Sequence, residues 1–275
     1  DVPFPGWERL REESLEAGPR AFLVVRNAGG EPVRWVEGPA TEGLHRVSWD
    51  LRGPAPDPVD LSTPGFVPPW AGPSKGPLVA PGEYTAELLL MSSEGARALG
   101  TRQAFQVKPV PTAPPGTDFQ AVAAFQWETS ELMRRIAGAG EGIGDLQNRI
   151  RHMRAALAET PRADPALFGR IDQFGRRLAD LQTRLWGDRI RGSLNEPGTP
   201  AISGRVGQVI GGHWDTRQAP TATQRRNIEI ATEAFEVWSR ELARLIEEDL
   251  TRLELDLEAA GAPWTPGRRL PGGGG

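Results

Sequence analysis

Gly43-Leu44-His45-Arg46-Val47-Ser48-Trp49-Asp50-Leu51-Arg52 decides how the first half of this chain is read. Val47, Trp49 and Leu51 alternate with Arg46, Ser48, Asp50 and Arg52, the period of two of a strand with one packed and one wet face. The stretch is therefore expected to be the central strand of a small β-domain. Trp49 is its core anchor, Asp50 a hydrogen-bond acceptor specific to the fold, and Asp50 with Arg52 fixes the root of the loop that follows. By the same parity His45 falls with Val47 and Trp49 as a packed strand residue.

Working outward, Arg20 to Asn27 is a near-continuous apolar run of strand length, and Ala28-Gly29-Gly30 turns it into Glu31 to Glu37, a hairpin. Downstream, residues 53–81 hold nine prolines, among them Pro54, Pro68, Pro69 and Pro81, too many for a ladder of amide donors. This is a long, semi-rigid excursion, and loops of that length in compact domains tend to be functional. Glu83 to Met91, where Tyr84, Ala86, Leu88 and Leu90 alternate, and Leu99 to Val107 form a second hairpin. Turn signals about every ten residues predict an immunoglobulin- or fibronectin-III-like β-sandwich over 20–108, behind an N-terminal arm or short helix over 1–19. Pro109, Pro111, Pro114 and Pro115 mark a semi-rigid linker over 109–118.

From residue 119 to 260 the apolar period lengthens to about 3.6, which predicts an antiparallel bundle of four helices and an α+β, multidomain chain. Phe119 to Ile136 reads as the first helix, ended by Gly138, Gly140, Gly142 and Gly144. Ile143, Ile150 and Leu157 lie on a second, and Asp164-Pro165 opens a third that carries Ile171, Phe174 and Leu185. A short helix is expected around Ile202 to Ile210. Thr221 or Thr223 caps a last helix running to about Ala259. Residues 261–275 are a Gly- and Pro-rich tail, expected to be extended unless a partner holds it.

Composition narrows the chemistry. With 32 basic and 36 acidic residues the net charge is −4, so no uniform positive field draws nucleic acid. Cysteine is absent, which removes disulfides and thiolate chemistry. His45, His152 and His213 share no ligand spacing, and the glycine cluster lacks the preceding strand and following Gly-Lys-Ser of a phosphate loop. Acids such as Glu247, Glu248 and Asp249 are read as surface partners of Arg244 and Arg252. No catalytic residue, cofactor or metal is assigned. The chain opens on Asp1 rather than methionine, which we take to reflect export and removal of a leader.

Gly29-Gly30-Glu31-Pro32-Val33-Arg34, the Gly43 to Arg52 stretch with its Trp-Asp-Leu-Arg, Pro81-Gly82-Glu83-Tyr84-Thr85 and Pro220-Thr221 together resemble the C-terminal region of large bacterial sortilin-like proteins. These Asp-box (BNR) repeat proteins are often labelled glycosyl hydrolases. The resemblance covers most of the chain after residue 20, but the propeller that would carry any glycosidase chemistry is missing from it. It implies a non-catalytic appendage or accessory subunit, outside the cytoplasm, that docks onto a larger assembly and reaches a membrane only through a partner. Among nine tryptophans and one tyrosine, Trp70 and Trp264 lie in proline-rich segments, and with Phe66 they are the expected partner-binding anchors. Trp49, Asp50, Arg52 and Tyr84 are the structural motif. A carbohydrate-binding or hydrolase-associated module is the alternative.

Overall fold

A computed structural model describes residues 4–62, 66–69, 72–113 and 115–269. The protein is α+β, with a five-stranded antiparallel sheet followed by helices. It divides into two compact units. The first holds residues 1–55 and 75–124, the second 56–74 and 125–275. The proline-rich excursion, expected to belong wholly to the β-domain, is thus split, and its middle groups with the helices.

In the first unit, helix α1 (Trp7–Leu15) buries none of its residues. Strands β1 (Arg20–Asn27) and β2 (Pro32–Gly38) form the expected hairpin, and β3 (Gly82–Ser92) flanks β1 on its other side. The predicted strand from Leu99 to Val107 is two pieces, β4 (Gly95–Ala98) on the end of β3 and β5 (Gln103–Val107) on its start. Gly100, at φ 82°, interrupts them, while the Leu99 amide still donates to the Leu88 carbonyl at 2.8 Å.

The Gly43 to Arg52 stretch is not a strand. Residues 44–50 have no ladder, and the only pairing is an isolated bridge between Arg52 and Leu78. The central places are taken: β1 is paired on both edges, and β3 is paired to β1 on one edge and to β4 and β5 on the other. Half of the alternation survives, since Val47 and Trp49 are half-buried, but Leu51 adopts φ 61° and stays 40 % exposed. His45 is exposed rather than packed, and its Nε2 bonds the Thr41 carbonyl at 2.8 Å. All five strands belong to one sheet.

In the second unit the glycine cluster does not break the helix. Helix α2 runs unbroken from Phe119 to Ala158 over 40 residues, its start straddling the division between the units. Ile136 before the glycines, Ile143 among them and Leu146 after them are all buried and hold the interrupted stripe in one core. Gly140 has a packing role: a Cβ there would lie 2.5 Å from Cζ2 of Trp186, whereas Gly138, Gly142 and Gly144 have open space. Gly138→Ala and Gly144→Ala are therefore expected to raise stability by about 0.5–1 kcal/mol each, and Gly140→Ala to lower it. Urea midpoints of the three variants check this, and a stabilised Gly140→Ala would contradict it.

Helix α3 (Ala166–Trp186) follows Asp164, whose carboxylate accepts from the Ala166 amide at 2.9 Å. Short α4 (Arg189–Ser193) and α5 (Ile202–His213) lead to α6 (Ala222–Arg244), opened by a reciprocal capping box between Thr221 and Gln224. The predicted final helix is continuous but not all α. Leu245–Leu250 is a π-helical turn, and α7 (Thr251–Ala259) continues from it.

Core residues from α2, α3, α5, α6 and α7 form one apolar cluster that includes Ile136, Phe174, Val206, Trp238 and Leu257. Three arginines on α3 make rungs outside it. Arg170 pairs with Asp256, Arg177 with Asp249 and Arg184 with Glu241, so α3 and the long helix run in opposite directions. Asp249 is thus bound to α3 and not to the neighbouring Arg252, as local spacing suggests. Such exposed pairs contribute about 0–1 kcal/mol each and mainly set register.

The tail, expected to be extended, is folded back as far as Arg269. Gly261, at φ 73°, terminates α7, the Arg268 amide donates to the Thr265 carbonyl at 3.1 Å, and Thr265 and Arg268 are buried. Arg268 Nη2 donates to the Ala262 carbonyl at 2.8 Å. The proline-rich composition hid this, because single backbone turns and side-chain bonds to backbone carbonyls have no periodicity.

Candidate functional site

The segment that carries Trp49, Asp50 and Arg52 meets Tyr84, distant from it in sequence, at one end of the sheet. Tyr84 and Phe105 are opposite one another on β3 and β5, and their rings stack with centroids 6.0 Å apart. The Trp49 indole meets both edge-on, at 5.8 and 6.2 Å, and its Nε1 donates to the Arg52 carbonyl at 2.8 Å. Asp50 accepts from the Arg52 amide at 3.1 Å, an Asx turn that holds Leu51 in its left-handed conformation.

Arg52 is buried, and its Nη1 donates to the Gly76 carbonyl at 2.9 Å. The two feet of the proline-rich excursion are thereby clamped together. Gly53 N donates to Pro77 O at 2.9 Å and Val79 N to Leu51 O at 3.0 Å. Tyr84 is buried with its hydroxyl on the Ala80 carbonyl at 2.7 Å, and burial pushes its pKa up. This end of the sheet is filled and structural.

The other end of the same face is open. On β1 and β3 Ala21 opposes Leu90 and Leu23 opposes Leu88, and on β2 Val36 opposes Leu23, so these apolar side chains share one face. Together with Leu99, and with Val47 on the far wall, they line a groove of about 570 Å³ between the sheet and the segment 39–47. Val47 is seated against β2 because Gly38 has no side chain: a Cβ there would lie 2.9 Å from Val47 Cγ1. Leu44 stands on the rim fully exposed, and Leu88 is 41 % exposed. The rim polar groups are Thr41, Glu42 and His45. The groove offers mainly apolar surface for a ligand to bury, with Glu42 and His45 at its edge.

Of the expected partner anchors, neither Phe66 nor Trp264 lines it. Phe66 is exposed in the excursion, and Trp264 is half-exposed in the helical unit with its Nε1 on the Arg268 carbonyl at 3.1 Å. Trp70 lies outside the described residues. Sequence reasoning missed the groove because Leu44 and Leu99 sit at turns, outside the alternation that marks strands. The mismatch between an apolar β3 and a 39–47 segment too polar and too short to cover it was the available signal.

No group of three or more His, Asp or Glu side chains suited to a metal occurs among the described residues, and no described helix is long and apolar enough to cross a membrane. His152 is exposed, whereas His213 is 2 % exposed at the end of α5. Its Nε2 donates to the Gln218 carbonyl at 3.0 Å, and the Gln126 amide nitrogen donates to the His213 carbonyl at 3.0 Å while facing Nδ1 at 3.4 Å. A neutral ring with its proton on Nε2 satisfies every contact. Burial pushes its pKa below the ordinary histidine value, nearby Arg225 acts in the same direction, and the Gln218 bond acts against them.

The sign follows from linkage. The unfolded chain takes up this proton near pH ~6.5 and the folded chain resists it. Stability from His213 is complete above that pH and is lost as pH falls below it towards the lowered native pKa. Urea midpoints at pH 7.5 and pH 5 should show a smaller loss for His213→Gln than for the parent. An equal loss in both would remove His213 as the source.

No family model matches the chain. Neither a curated protein nor a solved structure matches it at a significant level.

Proposed function

We propose that this chain is a non-catalytic interaction module, an accessory subunit or appendage, whose β unit receives an apolar segment of a protein partner. The observation that carries this reading is the open apolar groove on the sheet, with Leu88 and Leu44 uncovered beside it. Large apolar side chains left in water on a sheet face are a feature of docking surfaces. Three of the stretches that resemble the sortilin-like C-terminal region also come together here, through Trp49 against Tyr84 and the Arg34 guanidinium donating to the carbonyl of Gly53, the residue after Arg52, at 3.1 Å. Within this reading, the Gly43 to Arg52 and Pro77 to Ala80 segments are the reduced second layer of a sandwich. Helices α2, α3 and α6 to α7 are the staves of an antiparallel bundle. Placement outside the cytoplasm and peripheral membrane association rest on the resemblance alone, and fractionation of the source cells tests them.

The docking reading is tested by placing a photo-reactive benzoylphenylalanine at Leu44 in the full chain and irradiating it in source cells. One adduct of defined mass is expected, and Leu88→Asp should remove it. Leu88 is 41 % exposed, and circular dichroism of the variant checks that it is folded. Failure to form a discrete adduct, or an adduct indifferent to Leu88→Asp, overturns the proposal.

A further inference from the structure

A second concavity, of about 710 Å³, lies wholly in the helical unit, between the end of α3, the 187–201 segment and α6. The core takes Ile228, Ala231, Phe235 and Trp238, one stripe of α6. Ile230, Ala234 and Val237, at spacings of four and three, make a second apolar stripe beside it, and this second stripe lines the groove. Val237 is 48 % exposed there, while Trp238 behind it is held by its Nε1 bond to the Leu181 carbonyl at 2.8 Å.

The mouth holds arginines that have no carboxylate partner among the described residues. Arg184, Arg191 and Arg205 reach it from α3, α4 and α5. Arg184 is engaged by Glu241 and by Asp180. Arg205 donates to the neutral Asn227 amide oxygen at 2.9 Å, so its charge is not matched by a carboxylate. Arg191 has no side-chain acceptor among the described residues. Two carboxylates also line the groove, Glu196 and Asp188, the latter accepting from the Ile190 and Arg191 amides at the start of α4, and neither forms an ion pair with Arg191 or Arg205. The volume lies in the range of small-molecule pockets.

We propose that this groove binds a small amphiphilic carboxylate, its apolar body along Ile230, Ala234 and Val237 and its head group between Arg191 and Arg205. Guanidinium groups suit a carboxylate because both are planar and pair through two parallel hydrogen bonds. The site is separate from the sheet groove, and its test does not depend on that reading.

Calorimetric titration of the full chain with monomeric dodecanoate at pH 7.5 is the experiment, with dodecanol and dodecylamine as neutral and cationic counterparts of equal length. Dodecanoate should bind at least tenfold more tightly than either. The double variant Arg191→Ala/Arg205→Ala should lose at least tenfold for dodecanoate and little for dodecanol, Val237→Asp should abolish binding, and Leu88→Asp should leave it unchanged. Circular dichroism of each variant confirms that it is folded. Equal affinity for dodecanol, binding that survives Val237→Asp, loss of binding in Leu88→Asp, or no binding by the parent overturns the proposal.

Discussion

Gly76→Ala is expected to destabilise the β unit by about 3 kcal/mol, at the upper end of what forced overpacking does. A Cβ at this position would lie 2.2 Å from the Gly53 carbonyl oxygen and 2.4 Å from that of Pro54. Both are backbone atoms, so no rotamer change relieves the clash. The two feet of the excursion must then separate, which also pulls the Gly76 carbonyl away from the buried Arg52 guanidinium. A buried charge deprived of an acceptor adds to the loss. Amide exchange at Gly53 and Val79, which donate across the feet, reports the opening directly. Protection unchanged from the parent would show that the clamp tolerates the extra methyl group.

Trp238→Ala should lower the stability of the helical unit by about 4 kcal/mol, within the range for removing a buried large aromatic. The side chain is 1 % exposed, stacks on Phe235 with centroids 5.5 Å apart, and ties α6 to α3 through the Leu181 carbonyl. Trp238→Phe keeps most of the apolar volume and loses the cross-helix hydrogen bond, so a loss of about 1–2 kcal/mol is expected. Urea denaturation followed by circular dichroism at the helix band separates the two. Similar losses in both variants would make the hydrogen bond, and not the ring volume, the dominant contribution.

The parts of the fold legible in the sequence are those fixed by local periodicity. The hairpin of β1 and β2, helix α3 with its Asp164 start and α5 follow from spacing and turn residues alone. Gly43 to Arg52 misled because alternation reports which side of a segment is packed and not whether a neighbouring strand is free to pair with it. The glycines of α2 misled for a related reason. Each costs helix propensity of about 1 kcal/mol. The buried residues on either side of them, Ile136 and Leu146 among them, outweigh that cost, and local sequence does not show what lies opposite. Phe66 and Trp264 were selected for composition, whereas the groove depends on register between β1, β2 and β3, a non-local property.

The long helix of the second unit has one further consequence. Its buried leucines are spaced by five residues at one point, from Leu245 to Leu250, and by three and four afterwards, at Leu253 and Leu257. The π-helical turn takes up the extra residue, so both halves face the same core. That turn gives the gene a place where length can change without loss of fold. Deleting the exposed Glu247 shortens the spacing to four and returns the segment to an ordinary α-helix. The same deletion two turns earlier would rotate everything beyond it by about 100° and move Leu253 and Leu257 out of the core.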